Sequence, residues 1–274
     1  MKRKVLLIVG KSDLTIPGEY SFKTEKIISV LQKREDIDLV IVGHYNSNEF
    51  DYNKLQSEIS NLNPEQALTV IVMSHGAYSD IKGFEFILDD KFRLSSKDLF
   101  TLIGERIQEV PVDIFTTACH GGGILFDKEL LPAGSTLVGL TDAKEVNNGG
   151  DFETMQEHFE WFNNEITAYN LLQFYLSRCL KNRFHPHIGI TGNGDFSLDD
   201  LLRAHLSKPL DFDYNHFNML SCPNDYKIIF DKIVSGKSEW SIYAVEYGIA
   251  LSIILNELKN SGYLDAKMID RKTR

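Results

Sequence analysis

A thiol and an imidazole stand at matching places in this sequence. Cys119 closes the apolar run "VDIFTTAC" and is followed by His120 and three glycines; His75 ends a second run, "VIVMSHG". A thiol at neutral pH is only a few per cent thiolate, so a nucleophilic cysteine needs an imidazole, a helix N-terminus or another positive influence beside it. Such a pair attacks an electrophilic carbon through sulfur while the imidazole moves the proton. Each residue also has an ordinary explanation, since cysteine is often buried packing and a lone histidine is often structural. Placement favours chemistry: both follow apolar runs and both stand where the backbone leaves a strand. The neighbouring glycines permit positive φ and close approach of a substrate, which would leave the Gly76 and Cys119 amides facing a developing oxyanion.

The elements that must position these groups follow from periodicity. Short β-branched and apolar runs alternate with segments of helical spacing, the pattern of a parallel sheet covered by helices. Strands are expected at 4–9, 38–42, 68–73, 112–116 and 136–140, with helices at 21–32 and 96–107. "FEFILDDKFRLS" alternates around Asp89 and Asp90, which predicts a small hairpin beside the main sheet. "HPHIGITGNGDFSLDDLL" predicts a sixth strand, a glycine turn and a helix start capped by Ser197. The expected architecture is therefore an α/β domain over 1–200 with about six strands, followed by a mainly helical extension over 201–274. Open parallel sheets bind ligands beyond the carboxyl ends of their strands. The tips of the third and fourth strands carry "SHG" and "ACHG".

Composition narrows the chemistry further. The chain has 274 residues and a net charge of −10, with acidic residues spread throughout, so a continuous basic surface for nucleic acid is not expected. The apolar run after Lys4 is too short for a signal-peptide core. The late segment "WSIYAVEYGIALSIILNELK" is interrupted by Glu246 and falls short of a membrane span. Cys119, Cys179 and Cys222 have no CxxC spacing, which argues against a disulfide framework or thiolate zinc site and makes a reducing, cytoplasmic compartment the default, although export by a signal-less route would look the same. No metal or cofactor is expected. "HPH" at 185–187 offers two imidazoles without a complete ligand set, "GNGDF" lacks dinucleotide spacing, and a Walker lysine is absent.

Over 5–143 the sequence resembles the caspase-like and legumain-like cysteine peptidases of clan CD. The shared pattern is an apolar strand, His-Gly, a spacer with a small hairpin, a second apolar strand and Ala-Cys. The interval from His75 to Cys119 is close to the caspase spacing of about 50 residues. Thr117 and His120 depart from it, standing where caspases carry Gln and usually Arg, Gln or Gly.

The resemblance implies an endopeptidase acting on protein or peptide substrates. Cys119 would attack the peptide carbonyl, the Gly76 and Cys119 amides would hold the oxyanion, and His75 would protonate the leaving amine. It also implies a specificity pocket built from the loops after the first and fifth strands, which contain Lys11, Thr141 and Asp142. Asp142 would select a basic side chain and Lys11 an acidic one, and the residues leave both open. "EVNNGGDFE" has the composition of a processed linker or of any surface loop. His120, adjacent to Cys119 on an extended chain, is expected to point elsewhere and serve the loop. A catalytically silent binding module and a non-peptidase thiol acyl hydrolase are the alternative readings.

Overall fold

The first strand, β1 (Arg3–Val9), reads RKVLLIV and its last five residues are all buried. A strand with no solvent face belongs inside a parallel sheet covered on both sides. The computed structural model describes residues 2–10, 25, 28–45, 49–140, 143, 165–168, 171, 187–191 and 195–197, and places β1 accordingly. It pairs in parallel with β2 (Ile37–Val42) on one side and with β3 (Leu68–Met73) on the other.

Two antiparallel strands lie beyond β3. They are β4 (His75–Ser79) and β5 (Gly83–Ile87), which with β6 (Arg93–Ser95) make a separate three-stranded sheet. The main sheet resumes with β7 (Val112–Thr116), parallel to β3, and β8 (Thr136–Gly139), parallel to β7. It ends in the hairpin β9 (His187–Ile190) and β10 (Asp195–Ser197), with β9 antiparallel to β8.

Among the described residues the main sheet thus has seven strands, in the order β10-β9-β8-β7-β3-β1-β2. The α/β class expected from the sequence is the one found, and the five parallel strands match the expected ones within a residue at each end. The expected hairpin around Asp89 and Asp90 is found as β5 and β6. Two details differ. The sheet has one strand more than the six expected, because "DFS" forms β10. His75 opens a further strand, β4, which widens that hairpin to a three-stranded sheet. Ser197 ends β10, and the helix expected to start after it lies outside the described residues.

Side chains alternate across the main sheet. Leu6, Ile8, Val70, Val72, Val112 and Ile114 join a cluster with Leu55 and Ile59 of α1 (Tyr52–Ser60) and Leu99, Phe100 and Ile103 of α2 (Ser96–Arg106). Phe84 and Phe86 of β5 complete that layer, their rings edge to face at 4.8 Å. Helix α1 starts where the Asp51 side chain accepts from Lys54 N, and α2 starts where Ser95 does the same for Asp98 N.

Val5, Leu7, Thr69 and Asp113 face the other way. There the Arg3 guanidinium bridges Thr69 Oγ1 (3.0 Å), Asp113 (2.9 Å) and Glu165 (2.8 Å), and Asp113 accepts from Ala168 N. These bonds fasten the segment before β9 over the amino ends of three strands. Burial pushes the Asp113 carboxyl above its ordinary range, with Arg3 opposing. The expected helix at 21–32 is represented by helical residues 28–32, with Val30 and Leu31 buried. The expected helical extension at 201–274, including the apolar segment at 240–259, lies outside the described residues.

One carboxylate ties the small sheet to the main one. Asp89, only 6% exposed, accepts from Lys91 N at 2.7 Å and from the backbone N–H groups of Phe92 and Phe50. The first two shape the β5–β6 turn, and the third brings in the chain that follows β2. Phe92 then stacks on Phe50 at 5.6 Å and touches Tyr52 at 5.2 Å.

Burial pushes the Asp89 carboxyl up, but the three N–H groups and the Lys91 ammonium outweigh it and hold the pKa below the ordinary 3.8. A depressed native pKa makes the folded state the weaker proton binder. The stability it contributes is therefore complete above the unfolded pKa, about 4, and is lost as pH falls through the lower native value. Asp89→Asn should destabilise the fold by about 1.5–3 kcal/mol at neutral pH, the worth of a charge-assisted bond. Urea midpoints should show that deficit shrinking as pH falls through the lowered native value; an undiminished deficit in acid would mean that the carboxylate charge is not what holds the turn.

Candidate functional site

Strands β3 and β7 run side by side, Val72 level with Thr116, and both end within a residue of that pair. Beyond β3 come Ser74 and then His75, the first residue of β4. Beyond β7 come Thr117, Ala118 and Cys119. Thr116 governs how the chain leaves the sheet. Its hydroxyl donates to Val72 O across the strands (3.1 Å) and accepts from Ala118 N two residues on (3.1 Å). This side-chain turn bends the backbone just before the cysteine.

Ala118 O then accepts from Gly121 N (3.1 Å), and His120 O accepts from Gly123 N (2.8 Å), which starts a ten-residue 3₁₀ segment, Gly121–Leu130. Cys119 lies inside this turn. It is partly exposed and is not part of a disulfide.

The two strand tips meet through their backbones. A Cβ added to Gly76 would lie 2.1 Å from the carbonyl oxygen of Cys119 and 3.0 Å from Ala118 Cβ, with Phe84 at 2.9 Å. No larger residue fits without moving backbone. His75 directly precedes this contact, pairs with Ile87 of β5 and is partly exposed. Beneath it, a Cβ on Gly10 would meet Ser74 Cβ at 2.7 Å and Ile87 O at 2.9 Å, so the end of β1 is pressed against the start of β4. His75, Gly76 and Cys119 are thus brought to one edge of the parallel sheet, at the carboxyl ends of its strands, where loops converge.

The glycines do not supply the positive φ expected of them. Positive φ among the described glycines occurs at Gly43, Gly83 and Gly134, and not at Gly76 or Gly121–Gly123. The left-handed residue of the motif is His120, at φ 59. Gly121 and Gly123 serve close packing instead. A Cβ on Gly139 of β8 would lie 2.3 Å from Gly121 C, and one on Gly123 would lie 2.9 Å from Phe84 Cβ. The first turn of the 3₁₀ segment is wedged between β8 and the small sheet, where side chains have no room.

His120 does serve the loop, as expected: its Nδ1 lies 2.9 Å from Ala143 O. Thr116 was not singled out from the sequence, although a Thr two residues before the alanine of "TTAC" is a side-chain-turn signal. Lys11, Thr141, Asp142, His185 and the linker after Ala143 lie outside the described residues. So do Cys179 and Cys222.

No protein-family profile matches the chain, and no curated protein matches it. Solved structures are similar to it. A secreted C11 cysteine protease from Bacteroides thetaiotaomicron, in complex with an irreversible peptide inhibitor, aligns at TM-score 0.46 and 12% identity, covering 74% of this chain and 68% of that one. A second structure of a secreted C11 protease from that organism aligns at 0.45 and 12%, covering 80% and 74%. Caspase-1 from Spodoptera frugiperda aligns at 0.41 and 16%, covering 63% and 74%. These neighbours are caspase-like cysteine peptidases of clan CD, the group that the sequence motifs resemble.

The backbone contact between the tips has a direct test. Gly76→Ala forces a methyl group onto the Cys119 carbonyl, an overpacking that should lower stability by about 1–3 kcal/mol in urea titration. Alkylation of Cys119 by iodoacetamide, read by peptide mass spectrometry, should change rate in the folded variant. A variant matching wild type in both would show that the tips do not touch.

Proposed function

We propose that this chain is a cysteine endopeptidase in which Cys119 is the nucleophile and His75 the proton carrier. The observation that carries this reading is the backbone contact of Gly76 with Cys119, which leaves no distance between the His-Gly and Ala-Cys tips. A thiol and an imidazole at one sheet edge, each partly exposed, suit acyl transfer.

The reaction balances with these groups alone. Cys119 passes its thiol proton to His75 as Sγ bonds to the scissile carbonyl carbon, and the oxyanion is held by the Gly76 and Cys119 amides. The C–N bond then breaks, with His75 delivering a proton to the departing amine. Water next attacks the thioester, His75 takes its proton, and the carboxylic acid leaves as the thiol re-forms.

Lys11, Thr141 and Asp142 are assigned to the pocket for the residue preceding the cleaved bond. Asp142 suits a basic side chain and Lys11 an acidic one. The catalytic unit is assigned to 1–200, with 201–274 as a helical extension, and a reducing, cytoplasmic setting suits the thiol.

Cys119→Ala should abolish cleavage of a peptide library, and His75→Ala should lower kcat by about 10²–10⁴, the usual worth of a general acid–base group. Mass spectrometry of the products reports both effects and the preferred side chain. Aspartate preference would remove Asp142 from the pocket; arginine or lysine preference would remove Lys11. Full activity in either single variant would sink the dyad. Failure of the wild-type cysteine to take up a peptide acyloxymethyl ketone would favour a silent binding module.

A further inference from the structure

His120 holds a backbone shape that its own side chain disfavours. At φ 59 it is the one non-glycine residue with positive φ among the described residues. The left-handed region crowds Cβ against the carbonyl, and glycine occupies it more readily. Three glycines follow immediately, yet histidine stands at the strained position. The ring must then contribute something a hydrogen atom does not.

That contribution is a strut between two strand tips. Nδ1 lies 2.9 Å from Ala143 O. A carbonyl oxygen only accepts, so Nδ1 carries the hydrogen in the neutral ring as in the charged one. The base of the strut is fixed, because the turn is closed by Gly121 N to Ala118 O and by Gly123 N to His120 O. Its far end is fixed too. Ala143 is 8% exposed and lies three residues past Leu140, whose N–H meets Thr116 O at 3.4 Å. The chain leaving β8 is therefore held at Leu140 by the sheet and at Ala143 by the ring. Since β7 and β8 are adjacent and parallel, Cys119 and Ala143, which follow them, stand at the carboxyl end of the sheet, where a ligand would lie.

We propose that His120 is a positioning residue: by donating from Nδ1 to the Ala143 carbonyl it fixes the wall beside Cys119 against which substrate binds. This rests on Cys119 being the peptidase nucleophile. The consequence is specific. His120 governs the affinity for extended peptides and not the chemical step, because it acts on the wall and leaves the sulfur and His75 where they are.

His120→Gly, made in the full chain, keeps the left-handed backbone and removes only the ring. It should raise KM for a peptide substrate about three- to tenfold, the worth of one neutral hydrogen bond, with kcat changed less than about twofold. Iodoacetamide should alkylate Cys119 at an unchanged rate. His120→Asn, which tolerates the same φ and offers an amide donor, should recover part of the loss.

The strut is also read without substrate. In 15N-histidine-labelled wild type, His120 should appear as the Nδ1-protonated tautomer. An Nε2-protonated ring, a fall in kcat at constant KM, or a His120→Gly variant with wild-type constants would each overturn the proposal. A wild type with the expected tautomer but no Cys119-dependent cleavage would overturn the peptidase reading and the KM consequence with it.

Discussion

The structure depends on a contact between two stretches of main chain. The Gly76 Cα lies against the Cys119 carbonyl so closely that a single methyl group has no space. Interiors are packed to crystal density, so such a contact is not a soft coincidence that neighbours can absorb. It sets the spacing of the two tips before any side chain is considered. The same closeness recurs around it, at Gly10 against Ser74 and at Gly139 against Gly121. Four short segments converge on the edge of the sheet only because each presents backbone without a side chain at the crossing.

Two polar devices hold this arrangement from outside. Asp89 gathers three backbone N–H groups and thereby anchors the small sheet, of which His75 is the first residue. At the opposite end of the strands, Arg3 gathers Thr69, Asp113 and Glu165. The two differ in their electrostatics. Asp89 is buried but satisfied by N–H dipoles aimed at it, so its charged form is favoured. Asp113 is buried beside one cation and one further carboxylate, and burial wins. The end of the sheet that carries the candidate chemistry is thus fixed by a carboxylate whose charged form the fold favours.

Much of this was legible in the sequence, for identifiable reasons. The strands at 68–73 and 112–116 are found at those bounds, since a short run dominated by apolar and β-branched residues leaves little choice in a parallel sheet. His75 and Cys119 were legible because they end those runs. Helix α1 was not: "YNKLQSEIS" buries only Leu55 and Ile59, too weak a stripe to stand out from a polar stretch. Strand β4, "HGAYS", was hidden because it is an edge strand with no buried residue and so shows no alternation. Strand β10, "DFS", is hidden because three residues beside a glycine turn carry too short a pattern to read as a strand.

The glycines after Cys119 show why pattern and cause can part. "CHGGG" invites the inference that glycine supplies unusual backbone angles at a catalytic turn. The left-handed angle falls instead on His120, and the glycines are packed against Phe84 and Gly139. Both arrangements demand glycine, but for different atoms: one needs freedom of φ, the other the absence of Cβ. Only the neighbours distinguish them, and those come from strands β5 and β8, distant along the chain. A histidine kept at the angle, with glycines spared for the packing, is the distribution expected when the turn residue must also reach across to the next strand tip.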